Sequence, residues 1–120
     1  MIVHVVLFEP RPDLSEDRRQ RVFDDLRASA QTIPSVRRFR VGRRVRHGLP
    51  GYEQAMRDDY TFAAVIEFED LSGLKAYLQH PSHETIGQHF SQSALRALSY
   101  DYAMFDAAHT DAAAHVLAHD

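Results

Sequence analysis

Apolar residues crowd the start of the chain. Ile2-Val3-His4-Val5-Val6-Leu7-Phe8 is apolar on both parities and stops at Glu9-Pro10, which predicts a strand covered on both faces. Val22, Phe23, Leu26 and Ala30 then recur at three- and four-residue steps among arginines and aspartates. That spacing predicts an amphipathic helix, capped by Ser15 and ending near Ile33, before Pro34. Val36 to Arg46, with Phe39, Val41 and Val45 among arginines, predicts a second strand with Gly42 as a bulge. A turn-rich loop from His47 to Asp58 follows, with room for a helical turn over Tyr52 to Met56. Tyr60 to Phe68 alternates strictly, with Tyr60, Phe62, Ala64, Ile66 and Phe68 on one face. Ser72 to Gln79 reads as a short helix that Pro81 interrupts. Ser82 can cap a second helical piece to about Ala97, periodic at Ile86, Phe90, Ala94 and Leu98. Ser99 to Phe105 reads as the last strand.

The order β-α-β-β-α-β is an α+β, ferredoxin-like arrangement: an antiparallel four-stranded sheet with its helices on one face. The predicted domain spans residues 1–106. Residues 107–120 form an Ala- and His-rich tail, with His109, His115 and His119, that reads either as a weak helix or as disordered. If His4, Val6, Phe8, Phe62 and Ala64 face the helices, then Val3, Val5, Leu7, Ala63 and Val65 line the opposite face. An uncovered apolar sheet of that kind predicts a homodimer closed sheet to sheet.

Composition narrows the function classes. Cys 0 removes disulfides, thiol nucleophiles and thiolate metal sites. The net charge of -3 argues against broad nucleic-acid binding. No apolar run approaches the roughly 18 residues of a membrane span. The first residues lack the basic region of a signal peptide, so a cytoplasmic location is expected. Arg37, Arg38, Arg40, Arg43, Arg44 and Arg46 form a basic stretch. It reads as a solvated edge paired with acidic residues across the dimer, or as a lure for an anionic ligand.

His4-Val5-Val6-Leu7-Phe8, Ile33-Pro34-Ser35-Val36, Val41-Gly42, Phe68-Glu69-Asp70, Tyr77-Leu78-Gln79-His80-Pro81-Ser82-His83 and Asp101-Tyr102 together resemble the stress-responsive dimeric α/β barrel family. The resemblance covers about residues 2–105, and Tyr77 to His83 is its most specific part. It implies a homodimer with a central eight-stranded barrel and a pocket in each subunit between sheet and helices. Most members have no settled activity; one plant member, olivetolic acid cyclase, closes a linear polyketide without a cofactor. By that resemblance, His83 and Tyr77 match catalytic positions, with the residue matching His4 nearby.

The chemistry suits those residue types. Imidazole can take a proton from carbon next to a carbonyl, and a phenol can hold the oxygen as charge builds on it. The expected pocket wall is Val6, Phe8, Phe23, Leu26, Phe39, Phe62, Ala64, Leu78, His80 and Ile86, which suits a small hydrophobic or aromatic ligand. Ordinary packing and helix capping explain the same residues without any reaction. Pro81 spoils the ligand spacing of His80 and His83, and no HExxH pattern exists, so no metal is expected. The leading expectation is therefore ligand binding without a cofactor. The alternatives are a cofactor-independent polyketide cyclase or lyase and, with less behind it, a cofactor-free monooxygenase.

Overall fold

The computed structural model describes residues 1–118; His119 and Asp120, the last of the expected tail, lie outside the described residues. The chain runs β1 (Ile2–Pro10), α1 (Glu16–Thr32), β2 (Arg38–Arg43), β3 (Phe62–Phe68), α2 (Leu71–Gln79), α3 (Pro81–Ser93), β4 (Ala94–Ala103) and α4 (Ala112–Val116). A single 3-10 turn, Glu53–Ala55, sits in the loop before β3. The strands pair antiparallel in the order β2-β3-β1-β4, the ferredoxin-like topology. β1, apolar on both parities, takes a central position between β3 and β4.

α1 begins where Ser15 accepts the Arg18 N–H, with Glu16 and Asp17 at its positive end. Between helices and sheet lie two packed clusters. One holds Ile33, Ile66, Phe68, Leu74 and Tyr77, the other Val22, Leu26 and Ile86, and Phe39 touches both.

Several boundaries depart from the sequence reading. β1 continues through Glu9 and Pro10, which oppose Arg96 and Ala94 across a register shift. Pro10 sits there because an irregular strand end does not need its missing N–H. The bulge expected at Gly42 does not occur: β2 pairs with β3 unbroken from Arg38 opposite Glu67 to Arg43 opposite Phe62. β2 starts later than Val36 because the Val36 N–H turns back to the Ile33 carbonyl. β3 starts at Phe62 rather than Tyr60, because the Glu9 carboxylate takes both the N–H and the hydroxyl of Thr61. α3 stops at Ser93, well short of Ala97, and Ala94 and Leu98 belong to β4. Finally His80, not Ser82, caps α3: its Nδ1 accepts the Ser82 N–H at 3.1 Å, with Pro81 as first helical residue.

The pairing register places Val3, Val5 and Leu7 of β1, Ala63 and Val65 of β3, and Leu98, Tyr100 and Tyr102 of β4 on the sheet face away from the core. Tyr100 and Tyr102 are 57% and 52% exposed there. Val3 is an exception to the expected open face, buried within the chain where Glu67 and Tyr102 flank it in register.

Five of the six arginines of the basic stretch, all but Arg43, find acidic partners within the chain. Arg37 pairs with Glu69 at 2.5 Å, Arg38 and Arg40 approach Glu67 at 4.0 Å, and Arg44 and Arg46 clasp Asp59. In the tail, α4 stacks His115 on Phe105 with centroids 4.8 Å apart, so the helical alternative holds over Ala112–Val116. Among the described residues, no helix is long and apolar enough to cross a membrane.

Candidate functional site

His4 lies on the helix-facing side of β1 and is 5% exposed, a buried imidazole in an otherwise apolar strand. The register puts Asp101 of β4 directly opposite, and its Oδ1 meets His4 Nδ1 at 2.5 Å. A carboxylate on Nδ1 holds a proton at that nitrogen and fixes the orientation of the ring. Tyr77 reaches the same space from the last turn of α2, and His83 from the first turn of α3.

The chain break at His80-Pro81 makes this convergence. On one continuous helix Tyr77 and His83 would fall on different faces, since six residues is far from a whole number of turns. The extended His80 backbone (φ -72, ψ 139) redirects α3, and the two rings come to 4.7 Å, centroid to centroid. His4 stands 5.8 Å from Tyr77 and 6.4 Å from His83. Phe68 backs Tyr77 at 5.2 Å.

Burial controls the protonation of Tyr77 and His83. It pushes the Tyr77 phenol up to about 12, so the hydroxyl stays a proton donor at neutral pH. His83 is held below the ordinary imidazole value, chiefly by burial and further by the nearby His4, with the Leu78 backbone opposing. A neutral imidazole beside a protonated phenol is a base beside a hydrogen-bond donor.

The trio opens into a chamber of about 260 Å3, whose apolar wall includes Val6, Leu26, Phe39, Ala64, Leu78 and Ile86. His83, Leu78 and Gly87 also line an exposed groove on the outer side, which places His83 between chamber and solvent. A second chamber of about 290 Å3 lies alongside, rich in aromatic rings: Phe8, Phe23, Phe62 and Phe90. Phe8 meets Phe90 edge-on at 4.8 Å, and Phe23 meets Phe62 at 5.9 Å. Val6, Leu26, Ala64 and Phe90 line both chambers and form the wall between them.

The expected pocket residues are therefore divided. Phe39, Leu78 and Ile86 line the histidine chamber, Phe8, Phe23 and Phe62 the aromatic chamber, and Val6, Leu26 and Ala64 both. His80, expected on the pocket wall, lines neither; its ring is spent on the α3 cap and borders the outer groove. Asp101 was not among the expected site residues. Its signal was alternation in the last strand, where an acid stands between two tyrosines on the parity that faces His4. Among the described residues, no three His, Asp or Glu side chains gather to hold a metal ion.

Comparison with known proteins places the fold. The model of the stress responsive A/B barrel domain matches residues 2–104. No curated protein matches the sequence. Among solved structures, a hydroxynitrile lyase from Passiflora edulis superposes with a TM-score of 0.75 at 12% identity, covering 88% of this chain and 94% of its own. A Dabb family protein with a ferredoxin-like fold from Mesorhizobium loti gives a TM-score of 0.68 at 22% identity, over 88% of this chain and 97% of the other. A dimeric ferredoxin-like protein of unknown function from Jannaschia sp. gives 0.68 at 25% identity, over 86% and 98%.

Proposed function

This chain belongs to the stress responsive A/B barrel domain family, and from that premise we propose that it is a homodimer binding a small hydrophobic or aromatic molecule in the histidine chamber. One observation carries the reading: an apolar cavity that ends on three convergent polar rings, His4, Tyr77 and His83. Apolar walls supply affinity, and a few placed polar groups orient the guest. The apolar sheet face supports the dimer, as does the dimeric state stated for the Jannaschia protein. In this reading residues 1–106 are the working domain, residues 107–120 an appendage, and the setting is cytoplasmic. Native mass spectrometry of protein purified from its own cell should show a dimer with a retained small molecule. A consistently empty dimer would count against the proposal.

A second reading has its own observation, the carboxylate of Asp101 on His4 beside a neutral His83 and a protonated Tyr77. That set can move a proton at a carbon next to a carbonyl with no cofactor, as a cyclase or lyase would. The name of the Passiflora edulis neighbour makes lyase chemistry worth assaying on this fold. Tyr77→Phe and His83→Ala should each abolish turnover of a polyketide-like substrate while the dimer stays folded. Unchanged turnover in both variants would refute these roles.

A further inference from the structure

The aromatic chamber carries a charge that its apolar lining does not call for. Arg19, from the first turns of α1, and Arg43, from the end of β2, both line it. They are the only charged residues on its wall, and no carboxylate accompanies them there. Arg44 and Arg40, on either side of Arg43, have ion-pair partners, whereas among the described residues neither Arg19 nor Arg43 has one. Glu16, one helical turn before Arg19, does not come within ion-pair distance of it. Two elements distant in sequence thus bring two exposed arginines, without ion-pair partners among the described residues, to the rim of one apolar cavity.

We infer that the aromatic chamber binds an amphiphilic carboxylate, its apolar body among Phe8, Phe23, Phe62 and Phe90 and its carboxylate held by Arg19 and Arg43. The guanidinium fork matches a carboxylate and binds it in two parallel hydrogen bonds. A neutral guest would leave both cations to water alone, and a cationic one would be repelled. The shared wall of Val6, Leu26, Ala64 and Phe90 sets the uncharged end of the guest against the histidine chamber. This inference rests on the ligand-binding reading and extends it to the second chamber, with that guest's charge and the end by which it is held.

Calorimetric titration of the full-length protein with decanoate and decan-1-ol tests it. Decanoate should bind about threefold to fivefold more tightly than the alcohol, the advantage of a charge contact with two exposed guanidinium groups at the rim. Arg19→Gln with Arg43→Gln should erase that preference and leave alcohol binding unchanged, and each single variant should lose part of it. The double lysine variant should keep part of it. Decanoate should also shift the NMR amide signals of Phe23, Gly42 and Phe62. Equal affinity for acid and alcohol, or a preference that survives the glutamine changes, would overturn this inference and leave the ligand-binding reading standing. No binding of either probe would overturn this inference too, whereas the guest of the histidine chamber is read separately by native mass spectrometry.

Discussion

His83 shows how one side chain ties the site to pH. Because its ring is held below the ordinary imidazole value of 6.5, the unfolded chain takes up this proton at a higher pH than the folded one. The stability it contributes is complete above the unfolded value and falls as pH drops through it, levelling once the folded ring also protonates. Thermal melts from about pH 7 to about pH 5 should therefore fall less steeply for His83→Asn than for the parent protein. Parallel slopes would remove the buried, neutral imidazole from the account. Tyr77 runs the other way: its phenol, raised to about 12, stabilises the fold at lower pH, and that stability is lost as pH rises from 10 toward 12. Tyr77 and His83 could be singled out in the sequence because Pro81 stands between them. Asp101 could not, because its meaning comes from a residue 97 positions away. Only the strand register brings the two together.

At the scale of elements, the hinge between α2 and α3 decides whether the site exists. His80 ends one helix by bonding the Tyr77 carbonyl and begins the next by accepting the Ser82 N–H. His80→Ala removes that acceptor and should cost about 1 kcal/mol in urea unfolding, with His80→Asn restoring most of it. An alanine variant as stable as the parent would show that the cap contributes nothing. The sequence showed the break but not its agent, since serine caps helices far more often than histidine does. The end of α3 was misread for a related reason. Ala94-Leu95-Arg96-Ala97-Leu98 fits a helical period as well as a strand, and local pattern cannot choose between them. The unpaired edge of β1 chooses, setting Leu98 opposite Leu7. The central strands were legible because β-branched residues and strict alternation leave little ambiguity. The two-chamber cavity was not, because a list of apolar residues does not say where Phe90 will divide the space.

For the whole molecule, the sheet face bearing Val5, Leu7, Val65, Leu98, Tyr100 and Tyr102 is the surface to explain. Apolar area covered at about 25 cal/mol per Å2 would drive two such faces together, against the entropy lost on association. Sedimentation velocity should find a dimer at micromolar concentration, and Val65→Asp or Tyr100→Asp should shift it to single subunits. A stable lone subunit in the parent protein would refute the dimer and the fate assigned to this face. β4 carries a further consequence. Its alternate residues look in opposite directions, Asp101 toward His4 and Tyr100 and Tyr102 toward the face proposed to meet a second copy. In the proposed dimer, assembly and imidazole orientation therefore hang from a single ribbon of backbone, and whatever loosens the seam between subunits slackens the tether on His4 as well.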